Sequence, residues 1–211
     1  AEYTINHGFT EVLADIFKRK PDVLGFSCYI WNIDMVLQLT KELGKLLPET
    51  PIWLGGPEVS YDAPAVLRQH PELTGIMVGE GEATFKELLN YYVKGNDNGA
   101  ELSEIAGLCL PEGATAPREL TDISSLPFLY EDLTGFENKI IYYESSRGCP
   151  FRCSYCLSSI DKTVRLRDLA TVKRELQYFL DHRVSQVKFV DRTFNCKHEH
   201  SMAIWTYIHE H

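Results

Sequence analysis

Along the first half of the chain the apolar positions switch between two periods. "TEVLADIFKRK" places Val12, Leu13, Ile16 and Phe17 on one face, with Thr10 as the expected N-cap and Pro21 as the stop, which predicts a helix. "DVLGFSCYI" is an almost unbroken apolar run of strand length, as a strand covered on both faces would show. The helical period returns with Ile33, Val36, Leu37, Leu43 and Leu47, opened by Asn32 as cap and ended before Pro48. "PIWLGG" predicts a strand closing on a glycine pair, and "APAVLRQH" a short helix stopped by Pro71. "GIMVGEGE" predicts a buried strand, and "ATFKELLNYYVKG" a helix ending at Gly95. With "YTIN" as a short opening strand, strands and helices alternate throughout. That is the pattern of an α/β fold with an open parallel sheet and helices on both faces.

The alternation then breaks. "GNDNGAELSE" is turn-rich, and "GLCLP" and the Pro-bearing stretch to "LPFLYEDLTGF" predict a connector with one or two short strands. Periodicity returns with "KIIYYESS" as a strand, "DLATVKRELQYFLDHR" as an amphipathic helix, "VSQVKFVD" as a strand and 199–211 as helix. The expected organisation is a first domain over 1–97, a connector over 98–138 and the start of a second domain over 139–211.

Composition narrows the function classes. The 211 residues are 44% hydrophobic and 24% charged, ordinary globular material, and no run approaches the roughly 18 apolar residues of a membrane span. The net charge of −9 argues against a general nucleic-acid surface. It is unevenly spread: residues 1–138 hold 9 basic and 22 acidic residues, and residues 139–211 hold 12 and 8. Six cysteines are too few for a disulfide scaffold, so reduced thiols, a cytoplasmic location and a metal at any cluster of them are expected.

Three of the six lie together in "RGCPFRCSYC", as Cys149, Cys153 and Cys156. A mononuclear zinc site takes four ligands, commonly from paired C-x-x-C hooks. A ferredoxin cluster takes four cysteines. Here the spacing C-x-x-x-C-x-x-C follows a strand and supplies three, so either a distant residue (Cys196 is the candidate) completes the set or one iron is left open for a small molecule. Buried or zinc-bound thiols are the plain alternative. Cys28 and Cys109 sit in apolar strands and are expected to pack as small hydrophobes.

This segment resembles the radical S-adenosylmethionine (SAM) superfamily, with Tyr155 as the aromatic before the third cysteine. The resemblance implies a 4Fe–4S cluster on Cys149, Cys153 and Cys156, with SAM on the fourth iron and reductive cleavage of SAM to a radical. It also implies an external electron donor such as flavodoxin or ferredoxin. After the next strand the superfamily often carries Gly-Gly-Glu against the SAM amino group. This chain has "VDRTFN", so Asp191 is expected in that role, with Asn195 and Tyr155 also at SAM. A strand-end Asp that only caps its loop is the alternative.

Three strand ends in the first half carry Ser27 in "GFSCYIWN", Gly55 and Gly56 in "WLGGPEVS", and Gly79 and Gly81 in "VGEGE". Glycines at successive carboxyl ends let a flat ligand lie near the backbone, where open α/β sheets bind cofactors. The set resembles the cobalamin-binding domain that precedes many radical SAM cores. That resemblance implies a Rossmann-like (flavodoxin-like) domain followed by the first βα units of a partial TIM barrel. It implies cobalamin contacts at Ser27, Cys28, Tyr29, Gly55, Gly56, Pro57, Glu58, Gly79, Glu80 and Gly81. The Asp-x-His-x-x-Gly motif that supplies a lower cobalt ligand elsewhere is absent, and His7 is expected to be a loop histidine. Compared with the family pattern the chain is expected to be truncated at both ends, because a strand and helix would precede "EYTIN" and a TIM-like barrel takes roughly 200 residues.

The function this implies is part of a cobalamin-binding radical SAM enzyme, with methyl transfer to an unactivated carbon of a small-molecule substrate. Alternatives are an oxidative cyclase of the anaerobic magnesium-protoporphyrin ester type, or a non-catalytic iron–sulfur electron-transfer module.

Overall fold

The computed structural model describes residues 2–4, 6–94, 101–159 and 163–211. They form two compact units, Ala1–Thr121 and Asp122–His211. Among the described residues no helix is long and apolar enough to cross a membrane.

The first unit runs α1 (Phe9–Arg19), β1 (Leu24–Ser27), α2 (Ile33–Leu46), β2 (Ile52–Gly55), α3 (Pro57–Ser60), α4 (Ala63–Gln69), β3 (Gly75–Met77), α5 (Gly81–Lys94), β4 (Leu108–Leu110) and β5 (Gly113–Ala114). The sheet order is β1-β2-β3-β4-β5. Strands β1, β2 and β3 are parallel, as expected of β-α-β connections. Register pairs Ser27 with Gly55 and Gly55 with Met77, so the carboxyl ends of the three strands stand level. Alternation along β2 sorts the core. Ile52 and Leu54 pack with Val12, Ile16, Leu39 and Leu43 of α1 and α2, while Trp53 packs on the other face with Leu88 of α5. The Trp53 indole donates to Tyr92 Oη at 2.9 Å.

The structure differs from the sequence expectation at several points. Tyr3, Thr4 and Asn6 of "YTIN" are not in a strand, and Ile5 lies outside the described residues. The cap position of α1 is Gly8, and Thr10 lies inside the helix. Asn32 holds the cap position of α2 without capping it. Its Oδ1 accepts from Tyr29 N at 2.7 Å and its Nδ2 donates to Ser27 O at 2.9 Å, so the amide ties the β1–α2 loop instead. The expected connector is divided between the units: "GLCLP" supplies β4, antiparallel to β3, and residues from 122 onward join the second unit. Gly95 and the turn-rich residues to 100 lie outside the described residues.

The second unit contains β6 (Ile141–Tyr143), β7 (Ser146–Arg147), β8 (Arg165–Leu166), α6 (Leu169–Asp181), β9 (Val187–Phe189) and α7 (His198–Glu210). β6 and β9 are parallel neighbours with α6 between them in sequence, which makes two successive βα units. β7 and β8 form a short antiparallel pair that sequence periodicity did not predict. Val172, Leu176 and Phe179 of α6 pack with Ile141, Tyr143 and Ile204. Asp168 caps α6 by accepting from Thr171 N at 2.9 Å.

Inside this core lies an ion pair. Arg167 Nη2 meets Glu175 Oε1 at 2.6 Å with the two side chains 7% and 3% exposed, and Arg167 Nε donates to Glu175 Oε2 at 3.0 Å. Arg167 Nη1 also donates to Ile123 O, and Nη2 to Leu126 O at 2.9 Å. The Tyr143 hydroxyl donates to Glu175 Oε2 at 2.6 Å. Burial and the Glu175 carboxylate push the Tyr143 phenol far above its ordinary range. Arg167 thereby fastens the 123–126 segment to the start of α6.

Two predictions follow from packing. Gly56 has φ +104°, and a Cβ there would stand 2.5 Å from Cys28 O. Gly56→Val should therefore lower unfolding free energy by more than about 2 kcal/mol, read by urea denaturation. Arg167→Met alone should cost about 3–5 kcal/mol, and the double variant Arg167→Met/Glu175→Leu should recover most of it in a double-mutant cycle.

Candidate functional site

In the first unit the level strand ends are stitched by backbone bonds. Cys28 N donates to Gly55 O at 2.7 Å, and Glu58 N donates to Cys28 O at 3.4 Å. Ser60 joins the ends of β2 and β3: its hydroxyl donates to Gly56 O at 2.8 Å and accepts from Gly79 N at 3.2 Å. Ser27, Cys28, Gly55, Gly56, Glu58 and Gly79 are thus brought together as the sequence implied. Ser60 was missed, although its place four residues after the glycine pair could have shown it.

The roles within this group differ from the expectation. The Cys28 side chain is fully buried, so only its backbone lies at the edge, and burial pushes its thiol up to about 11. Gly55 is buried against Met77 Cε, and Gly56 is excluded from carrying a Cβ by the Cys28 backbone. These two glycines serve the close approach of β1 to β2. At Gly79 and Gly81, by contrast, an added Cβ meets nothing within 4 Å. The β3 end of the edge therefore faces open space. Pro57 and Glu58 are exposed at the start of α3. Glu80 is committed in part, its Oε2 accepting from Thr121 N at 2.8 Å. The loop after β1 presents Tyr29 stacked on Trp31 at 4.6 Å, with Trp31 74% exposed. An edge with free volume and an apolar wall fits a large flat ring system such as a corrin. His7 accepts from Thr4 N at 3.0 Å with its Nδ1, an ordinary loop contact. A charged groove of about 540 Å³ lined by Tyr3, His7, Asp15 and Arg19 lies along α1 and involves none of the strand ends.

In the second unit the cysteine loop leaves β7 and returns as β8. Its base is closed by Gly148, whose φ is +94° and whose Cβ would fall 1.8 Å from Thr163 O. Arg147 adds an ion pair to Glu144 at 2.7 Å. Cys149, Cys153 and Cys156 are half-buried and free of disulfides, and Cys156 N donates to Cys153 O at 3.1 Å. Tyr155 between them is 90% exposed. Among the described residues no group of three or more His, Cys, Asp or Glu could hold a single metal ion. A cluster asks for a different arrangement, one thiolate to each of several irons, and an all-sulfur donor set on one loop suits that chemistry.

Asp191 follows β9 and is already engaged. Its Oδ1 accepts from the Ser145 and Ser146 hydroxyls at 2.9 and 2.5 Å, and its Oδ2 from Ser145 N at 3.3 Å. The carboxylate thus ties the β9 end to the β6–β7 turn rather than capping its own loop, and the two serines were not singled out in the sequence. Asn195 is exposed in the same loop, and Cys196 is half-buried, its N donating to Thr193 O at 3.1 Å. Thr193 Oγ1 lies 3.4 Å from Cys149 Sγ.

With the geometry in place, comparison with known proteins defines the class. Residues 1–89 match the B12 binding domain family. The cobalamin-dependent radical SAM methyltransferase TokK of Streptomyces tokunonensis is 28% identical over 83% of this chain and 28% of its own length. An anaerobic magnesium-protoporphyrin IX monomethyl ester cyclase of Rubrivivax gelatinosus is 28% identical over 79% of this chain and 32% of its own. Among solved structures, the cobalamin-dependent SAM radical enzyme OxsB superposes with a TM-score of 0.76 at 16% identity, over 98% of this chain and 31% of that one, and so shares the fold. Residues 1–89 belong to the B12 binding domain family, and the chain as a whole is similar to cobalamin-dependent radical SAM enzymes. It spans about three-tenths of the length of these two curated relatives.

Thiol reactivity tests the assignment of the six cysteines. Only the thiolate alkylates, and at pH 8 a thiol with a pKa of about 11 is ionised about one part in a thousand. Burial also raises Cys109. Iodoacetamide at pH 8 on the metal-free native protein should modify Cys149, Cys153, Cys156 and Cys196 and spare Cys28 and Cys109 until urea is added, as read by peptide mass spectrometry.

Proposed function

We propose that this chain carries the cobalamin-binding and cluster-binding portions of a radical SAM methyltransferase acting on an unactivated carbon of a small-molecule substrate. The observation that carries the reading is the pairing, in one chain, of a B12-binding sheet whose β3 end is open at Gly79 and Gly81 and a closed-base loop bearing three cysteines that form no disulfide. When bound, the cluster and SAM supply one-electron radical chemistry and cobalamin supplies methyl carriage.

The chain's own residues do the holding. Cys149, Cys153 and Cys156 each take one iron, and Gly148 and the β7–β8 pair keep the loop mouth fixed. Asp191 holds the β9 end against Ser145 and Ser146, which sets where Asn195 stands; Tyr155, exposed beside the last ligand, is free to lie against SAM. Ser27, Tyr29 and the backbone of Cys28, Gly55 and Gly56 form the floor at the strand ends. Pro57, Glu58 and Glu80 flank it. The reading puts the protein in the reducing cytoplasm, with a flavodoxin- or ferredoxin-like protein as electron donor.

A cyclase outcome is the second reading, because the Rubrivivax cyclase matches this chain at the same 28% identity as TokK. Product analysis with SAM labelled in its methyl group separates the two, since only the transferase places label in a product carbon.

Anaerobic reconstitution with iron and sulfide tests the cluster site. Wild-type protein should take up about four irons and change its EPR spectrum on adding SAM, and Cys149→Ala, Cys153→Ala and Cys156→Ala should each abolish the chromophore. Full iron uptake in any of the three removes that cysteine from the ligand set. For cobalamin, Gly81→Leu should weaken hydroxocobalamin binding at least about tenfold with the urea midpoint unchanged, because its side chain enters open space. Undiminished binding moves the corrinoid away from the β3 end.

A further inference from the structure

Thr193 is not a cluster ligand, yet its hydroxyl lies 3.4 Å from Cys149 Sγ, across 44 residues of sequence. Its place is fixed from both sides. The carboxylate of Asp191, two residues before it, is held by Ser145 and Ser146 next to the root of the cysteine loop. Its own carbonyl accepts from Cys196 N at 3.1 Å. With Cys149 as a thiol, either atom can donate. A cysteine that ligates iron has lost its proton, so its sulfur can only accept and the hydroxyl must be the donor.

Resting on the cluster reading above, we infer that Thr193 is a positioning residue that donates a hydrogen bond to the Cys149 thiolate and sets the reduction potential of the cluster. The physical reason is charge. Reduction by one electron makes the cluster and its thiolates more negative, and a donor aimed at one sulfur stabilises that state more than the oxidised one. Removing the donor leaves the ligand in place and makes the cluster harder to reduce. The hydroxyl is the working group, so serine should serve in its place and valine, of nearly the same shape, should not.

The experiment is an EPR-monitored redox titration of the reconstituted protein with dithionite as the reductant. Wild type, Thr193→Val, Thr193→Ala and Thr193→Ser are compared at equal iron content. Thr193→Val should show a ratio of reduced to oxidised cluster about tenfold lower at a given potential, a shift of about 59 mV for a one-electron couple. Thr193→Ala, which removes the hydroxyl and adds no bulk, should shift in the same direction, and Thr193→Ser should titrate close to wild type. Valine and alanine variants that titrate as wild type overturn the inference and leave the cluster reading standing. A wild-type protein that takes up no iron overturns the cluster reading itself.

Discussion

Each candidate site hangs from a backbone approach too close for a side chain. In the first unit Gly56 lies against the Cys28 backbone, where a Cβ would stand 2.5 Å from the carbonyl oxygen. In the second, Gly148 lies against Thr163, with 1.8 Å for the same hypothetical atom. Both glycines have positive φ, so conformation and contact demand the same residue. The first approach levels the ends of β1 and β2, and with Ser60 bridging to Gly79 it sets the floor on which a ligand can rest. The second turns β7 sharply into the cysteine loop and brings β8 back beside it. In each case the close backbone approach holds the surrounding loop in shape.

This separates two uses of glycine that look the same in sequence. "LGGPEVS" and "VGEGE" both read as strand ends made thin for a cofactor. Only the second leaves space: Gly79 and Gly81 face nothing within 4 Å, while Gly55 and Gly56 are consumed by Met77 and Cys28. A glycine pinned in strand contact loses stability on substitution, and one that faces open space at ordinary φ, such as Gly81, does not. Spacing alone does not distinguish them, because the neighbour that fills the space lies on another strand.

The parts of the structure that were legible are those written by local period. The helices α1, α2, α5, α6 and α7 and the strands β1, β2 and β3 follow from apolar spacing and Pro or Gly stops, and the cysteine spacing is specific enough to mark its loop. What was not legible depends on long-range pairing. A short strand was expected in "GLCLP", but its antiparallel pairing with β3 could not be read from three apolar residues beside Pro111. "YTIN" has strand composition, yet its described residues Tyr3, Thr4 and Asn6 join no strand. Asn32 read as a helix cap from its position, yet its amide found Ser27 and Tyr29 first. Asp191 was expected at the SAM amino group or as a cap of its own loop, and the two serines that bond to it are more than forty residues earlier in the chain.

The same limit applies to the buried Arg167–Glu175 pair, and its place bears on the iron site. Nothing in "RLRDLATVKRELQ" marks one of its three arginines and its one glutamate as buried partners. They become so because Tyr143, Ile123 and Leu126 surround them with one donor and two carbonyl acceptors, which satisfies the charges where water is excluded. Arg167 directly follows β8, the strand on which the cysteine loop returns, and the imidazole of His200 on α7 meets its carbonyl at 3.1 Å. Its backbone nitrogen also donates to Ser145 O at 2.9 Å, beside the serines that hold Asp191. The loop's return strand, the β6–β7 turn and the loop carrying Thr193 therefore share one polar frame. That frame fixes where the thiol-bearing loop leaves β7 and where it returns as β8.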